Sequence, residues 1–469
     1  MDFIVSLRSL GPRYLALWAG QTLAQFGTYI ALFTIPFLVR EIQLEAGAEG
    51  TLDFSITYAL ETAPTFLIGL LGGVLLDRWH LRPVIVATNL LRASAFFYLS
   101  SGVGTFGVGT VFAMAFLIGS MSALFDGALY SMIPALVRRD QMAQANSLVT
   151  ATIQANFALA PLFAGILAAV FAGPAFGLFL TGLTFVLAAA SMKWVGPVAH
   201  HRAATDERAP FFTEAANGIR YLWAESRLRT TTLAALVPNF VMGFIEGTYL
   251  VLFYTVLLVP GPTQVGILLS AMGIGGVIGA LVAPSIVRRL GLGRTLVVGM
   301  AFTGVGLFAL MFTTYGLVAI ALQVGWMAGV SVINIPLATI RQAYASESML
   351  GRVITASRAI GWATLPIGAL VGGWLGATED TYPWVARAFP LILIATAVWL
   401  YTTVIWSDTL GPGFEAEDRD VEPPDTSGQE SLFEDHTENH IEVDLESEAE
   451  SEVIELDVSA EADEPETLS

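Results

Sequence analysis

Apolar segments of about twenty residues or more, the length a helix needs to cross hydrocarbon, recur twelve times in the first 410 residues. Their approximate limits are 14–39, 51–76, 83–103, 108–136, 146–171, 175–195, 230–259, 264–287, 294–314, 317–342, 352–376 and 388–407. Only 13% of the chain is charged, where a soluble globular protein carries roughly a quarter. The fold class that follows is an all-α membrane protein of twelve transmembrane helices. The first segment is too long, and lacks the small-residue cleavage site, to be a removable signal peptide, so it stays as a span.

The formal charge of −18 belongs almost entirely to one end of the chain. Residues 411–469 carry 22 acids and a single base, Arg419, whereas residues 1–410 carry 18 acids and 21 bases. The tail is rich in Glu, Asp and Ser with too few apolar residues for a core, so it is expected to be disordered. It can serve as a solubilising extension or bind a basic partner, and the basic loops of the same chain are one such surface.

Several chemistries are excluded or discounted. With no Cys there is no disulfide, thiolate metal site or Cys nucleophile. Lys193 is the sole lysine and is not preceded by Gly, so no Walker loop exists. Gly102, Gly104 and Gly107 match a dinucleotide glycine pattern but join two membrane segments and follow no strand. His436 and His440 lie in the tail without a third ligand, so no metal is expected. No nucleophile constellation suggests an enzyme, and the basic loops are topological signals, not a nucleic-acid footprint.

Lys and Arg resist translocation and collect in cytoplasmic loops. With the N-terminus in the cytoplasm, 17 bases fall on that side, from Arg8 and Arg13 to Arg341 and Arg352, against Arg40 and Arg387 outside. An even number of spans then places both termini and the acidic tail in the cytoplasm. The longest polar break, 197–229, separates six segments (1–196) from six (230–410), and its stretch from Phe211 to Trp223 is expected to be helical. Phe26 to Phe33 reads like Glu246 to Phe253, Arg78 to Pro83 like Arg289 to Arg294, and Ala160 to Leu162 like Leu365 to Ile367. These matches keep their order, which points to a duplicated six-helix unit around a midplane site.

Between the second and third segments, Gly73, Asp77, Arg78 and Arg82 resemble the loop signature of the major facilitator superfamily, with His80 and Leu81 departing from it. Pro134 to Arg138 with Ala145 and Asn146, Gly218 to Tyr221, and Gly351 to Val353 with Pro366 to Gly368 resemble its branch of macrolide-efflux proteins and the enterobactin exporter. Ala160 to Gly165, with Pro161 and Gly165, is similar to the antiporter signature that marks exporters, both departures being Gly to Ala. The resemblance covers about 400 residues and leaves out the tail. It implies the major facilitator fold of two six-helix halves. It also implies a latch at Gly73, Asp77, Arg78 and Arg82 for the outward-open state, and a cavity lined by the first, fourth, seventh and tenth spans. A carboxylate at Asp77 can bond helix N-terminal amides and pair with Arg82. Gly69 with Gly73, and Gly275 with Gly279, have the spacing of closely packed helices.

Ionisable residues inside spans cost about 2.5–3.5 kcal/mol each and are functional candidates. Glu246 lies about 24 Å from the cytoplasmic end at about 1.5 Å per residue, too deep to reach water from there. Asn239, Gly243, Glu246, Leu250 and Phe253 share one helical face. Glu246 is the first candidate for carrying a proton and Glu61, beside Pro64, the second; a purely structural hydrogen bond is the competing reading for each. Asp126 shares a face with Gly119, Ser122 and Tyr130 and lies at the depth of Arg92, so these two are expected to pair between helices. Arg358 is close enough to the cytoplasmic end to reach it. Gln21, Gln25, Thr28 and Tyr29 share a face of the first span, and Gln323, Trp326 and Asn334 one of the tenth. With few fixed charges, such walls suit a large amphiphilic ligand, uncharged or cationic.

The expectation is a monomeric, proton-coupled exporter of amphiphilic small molecules in the cell membrane, driven by the proton gradient without a cofactor. A lysophospholipid or other lipid translocator, and a non-transporting receptor or scaffold, are the alternatives.

Overall fold

The computed structural model describes residues 10–47, 51–76, 79–138, 141–171, 173–197, 211–246, 261–346, 349–376 and 381–403. All belong to one compact unit, residues 1–413. Phe253, Asp77, Arg78 and the acidic tail lie outside the described residues.

The described residues form α1 (Pro12–Glu45), α2 (Leu52–Leu76), α3 (Leu81–Ser101), α4 (Val108–Leu136), α5 (Met142–Val170), α6 (Ala175–Val195), α7 (Phe211–Ala224), α8 (Ser226–Phe244), α9 (Pro262–Leu290), α10 (Leu292–Leu310), α11 (Gly316–Tyr344), α12 (Leu350–Leu375) and α13 (Tyr382–Tyr401). A helix stands at each of the twelve apolar segments, and α7 occupies the polar break. Ten are long and apolar enough to cross a membrane; α2 and α8 take the other two places.

Local chemistry sets the limits. The first helix runs six residues past the apolar segment, to Glu45, because Arg40, Glu41 and Glu45 are good helix formers that need no lipid. Gln43 Nε2 on this extension donates to Asp53 of α2 at 2.8 Å. The eighth begins where the Glu225 carboxylate accepts from the Arg227 amide at 3.1 Å, a side-chain N-cap. Gly291 (φ 80°) makes the tight join between α9 and α10, where an L side chain would be strained.

Small residues decide which helices meet, since lipid gives apolar surfaces no reason to associate and close backbone approach must supply the attraction. A Cβ on Gly20 or Gly27 of α1 would overlap Ser191 or Thr184 of α6, and one on Gly119 of α4 the backbone of Glu61. Gly275 and Gly279 of α9 abut the backbone at Val324 and Ala328 of α11, so their spacing does serve packing. Gly218 of α7 rests on Arg352, and Leu222 joins Leu228 and Val353 in a small apolar cluster that seats α7 against α8 and α12.

Two larger cores result. One gathers Tyr14, Leu17, Phe96, Phe125, Met132 and Phe185 from α1, α3, α4 and α6. The other gathers Leu296, Met300, Trp326, Ile333 and Phe389 from α10, α11 and α13, and takes in Ile30 and Phe33 of α1 and Ala160 and Ala164 of α5. The helix ends near residues 12, 80, 140, 195, 291 and 347 make one end of the bundle, rich in arginine and hereafter the basic end. The others make the far end. Helices α1–α6 meet α8–α13 chiefly where α5 crosses α9 and where α2 crosses α12. Both crossings lie toward the far end.

Candidate functional site

At the far end Thr51 Oγ1 is shared between the carbonyls of Gly373 and Gly376, at 2.9 and 3.0 Å, and Ser55 packs on Gly373. One turn deeper, the Tyr58 hydroxyl donates to a carboxylate oxygen of Glu246, joining α2 to the end of α8. Ile245 and Glu246 extend α8 as a wider π turn, a distortion frequent at functional positions. Glu61, three residues beyond Tyr58 and therefore on the same face, lines the same small cavity as Tyr58 and Glu246. The two acids singled out in the sequence thus meet at one place. Tyr58 is six residues into α2, about 9 Å from its far-end start, so this group sits at the closed contact and not in the open middle. On the other side of Glu246 is an apolar cavity walled by Tyr29, Phe33, Phe157 and Pro161, with Tyr29 edge-on to Phe157 at 5.3 Å.

Toward the basic end the walls part. Asp126 and Tyr130 of α4 are exposed although Asp126 lies ten residues inside the helix, and Tyr130 is within electrostatic reach of Arg358 on α12. The opposite wall surrounds a cavity of about 410 Å³, lined among others by Asn239, Trp326, Asn334, Arg341, Arg358 and Trp362.

The expected residues distribute unevenly over these places. Asn239, Trp326 and Asn334 line the cavity. Gln323 is fully buried and accepts from Trp326 Nε1 at 3.1 Å, a bond that orients the indole. Gln21 is buried, Gln25 half-buried, and Thr28 donates back to the Ala24 carbonyl at 3.0 Å. The face shared by Asn239, Gly243 and Glu246 does not look into the cavity throughout, since Gly243 is pressed on the backbone of Leu365. Pro161 and Gly165 both adjoin Gly266 of α9, so the antiporter-like segment lies in the crossing between the two sets.

The charges of Arg92 and Asp126, expected to pair between helices, do act on each other, without a direct ion pair among the described residues. Arg92 hydrogen-bonds Asn89 at 2.7 Å and Ser122 at 3.4 Å and is sandwiched between the rings of Phe125 and Phe185, each 4.4 Å away. An amide and two π faces therefore hold the buried cation directly, and the exposed Asp126 acts on it from farther off. In the loop signature, Gly73 falls within α2, and Arg82 donates to the Met192 carbonyl near the end of α6 at 3.0 Å, where a cation suits the helix dipole. Arg358 is exposed in the cavity lining over the Trp362 ring, at 5.3 Å. Tyr58, Thr51 and Arg341 were not singled out in the sequence. Tyr58 could have been, because it shares a helical face with Glu61.

Two sets of apolar helices, joined at one end and parted around a polar cavity at the other, define a membrane transporter with a central site. The chain belongs to the Major Facilitator Superfamily, whose profile matches residues 17–363; it is a multi-pass membrane transporter, not an enzyme. It is similar to the multidrug efflux pump Tap of Mycolicibacterium fortuitum, 26% identical over 399 residues that cover 82% of this chain and 94% of that one. The enterobactin exporter EntS of Salmonella choleraesuis (strain SC-B67) is 27% identical over 394 residues, covering 80% and 88%. Among solved structures, the nucleoside transporter NupG has the same fold at a TM-score of 0.67 and 11% identity, covering 83% and 98%. A bacterial homologue of the iron transporter ferroportin, in an inward-facing state, has it at 0.64 and 21%, covering 83% and 99%. The family expected from the loop and span motifs is the family found.

Proposed function

We propose that this transporter is a proton-coupled exporter of amphiphilic small molecules, working by alternating access in the cell membrane with twelve spans and both termini cytoplasmic. The efflux pump and the enterobactin exporter among its relatives support the direction. The concentration of bases at one end supports the orientation, since that end is then cytoplasmic and the cavity is open to the cytoplasm. The observation that carries the coupling is the hydrogen bond from Tyr58 on one half to Glu246 on the other, with Glu61 beside it.

A carboxyl group whose partner sits across a contact that must open has different surroundings in the two states. Its proton affinity therefore differs between them, and by linkage a bound proton biases which state is populated. Opening the far end separates Tyr58 from Glu246 and exposes both acids to the outside, where protons enter. Closing it restores the bond and presents the cavity, with Asp126, Tyr130, Asn239 and Asn334 in its walls, to cytoplasmic substrate. Gly73, Asp77, Arg78 and Arg82 would latch the basic end in the opposite state.

The test is substrate-driven proton flux in proteoliposomes carrying a pH-sensitive dye, with a macrolide and a siderophore as probes. Glu246→Gln keeps the shape and a hydrogen-bonding group but cannot carry a proton, and is expected to lower coupled flux at least about tenfold. Unchanged coupled flux in both Glu246→Gln and Glu61→Gln would sink the proton-carrier assignment.

A further inference from the structure

The cavity wall contributed by α8 and α10–α13 is chemically lopsided. Its charged lining residues are Arg341 and Arg358, and no Asp or Glu is among its described lining residues. The two guanidinium groups are close enough for their charges to act on each other. Arg341 Nε is buried without a hydrogen-bond partner. Arg358 is exposed and rests on the Trp362 ring at 5.3 Å. Two like charges facing one space repel, and an unpaired buried N–H loses its hydration without replacement. Asp126 on α4 forms no ion pair with either guanidinium among the described residues, and the cation whose charge acts on it is Arg92.

A guanidinium presents planar, forked donors that match carboxylate and phosphate oxygens better than a point charge does. An anion between the two would relieve the repulsion and satisfy the free donors. Trp362, exposed in the same wall, offers aromatic surface to an apolar body attached to that anion. Ser357, which also lines the cavity, already bonds Thr232 at 3.0 Å and helps fix α12 to α8 beside Arg358.

We propose that Arg341 and Arg358 form an anion-recognition subsite, so that the transported amphiphile carries a carboxylate or phosphate head held between them and an apolar body along Trp362. The proposal deepens the exporter reading and rests on it, and it replaces the expectation of an uncharged or cationic ligand. The same head chemistry is found in free amphiphilic acids and in anionic lipids.

Binding to the purified full chain, read as quenching of tryptophan emission, tests it without any transport step. The probes are 11-(dansylamino)undecanoic acid and its methyl ester, which differ in charge and little else. The acid is expected to bind about tenfold more tightly than the ester, and Arg341→Gln with Arg358→Gln to remove that preference while leaving ester binding unchanged. Arg358→Gln alone, at an exposed side chain, supplies the same comparison should the double variant fold poorly, with Arg358→Lys expected to retain part of the preference. Repeating the titration in phosphatidylcholine nanodiscs with and without phosphatidylglycerol separates the sources. Competition identifies a lipid head as occupant, no competition a free acid, and either supports the subsite. Equal binding of acid and ester by the wild type, or an undiminished preference in the variants, overturns the proposal. Because binding is read apart from proton flux, loss of the coupling assignment and loss of the anion subsite give different results.

Discussion

The two crossings that join the halves hold by different physics. Where α5 meets α9, the contact is steric: Gly266 lies against Pro161 and Gly165, Gly273 against the backbone of Ala158, and Gly276 near Gln154. Where α2 meets α12 and the end of α8, the contact is polar, through Thr51, Ser55, and Tyr58 with Glu246. A seam of glycines closes or opens by shape and is indifferent to protons. A seam containing a carboxyl group responds to them. On the proposed proton coupling, one crossing acts as the hinge surface while the other senses the gradient, a division of labour that a symmetric pair of seams would not allow.

That contrast can be attacked from its strongest point downward. Since the chain has no native cysteine, Ser270→Cys, buried in α9 between Gly266 and Gly273, reports far-end opening through its labelling by an impermeant maleimide. Gly273→Leu in that background places side-chain atoms inside the backbone of Ala158, where nothing can yield. It should favour the open far end by about 3 kcal/mol, roughly 150-fold in labelling rate, at any pH. Tyr58→Phe removes the hydroxyl and leaves Glu246 unpartnered, for which about 1–2 kcal/mol and roughly tenfold faster labelling are expected. Unlike the glycine variant, its effect should vary with external pH. Thr51→Val deletes a single hydroxyl, and membrane hydrogen bonds average about 0.6 kcal/mol, so a change of roughly threefold is expected. A pH-dependent response from Gly273→Leu, or a larger effect from Thr51→Val than from Tyr58→Phe, would erase the distinction between the seams.

The bundle was legible in the sequence to the residue in places: α4 and α6 have the limits that hydropathy predicts. Hydropathy works there because lipid leaves the backbone no alternative to helix. The site was legible in kind more than in place. Glu246 and Glu61 stood out because charge in lipid is costly, and the structure brings them into one cavity. Periodicity puts Gly243 on the face of Glu246 but cannot say that this face meets Leu365 and not substrate. Arg92 and Asp126 have opposite charges at similar depth, yet only packing shows that Asn89 and two phenyl rings hold the arginine. Arg341 reads as one more loop base, because a long side chain near a helix end can point either way. Which way it points is decided by helices far off in sequence.

The closed far end has an electrical consequence. A cavity open to water at the basic end lies near the potential of the solution it joins. The membrane voltage then falls across the thin sealed layer that remains, where Thr51, Tyr58 and Glu246 are found. A voltage of 100 mV is worth about 2.3 kcal/mol per elementary charge, and focusing brings most of that to bear on a proton traversing this layer. On the proposed proton coupling, placing the carboxyl group in the seal rather than in the cavity exposes the proton-binding step itself to the voltage, so the electrical part of the gradient acts where the two halves touch.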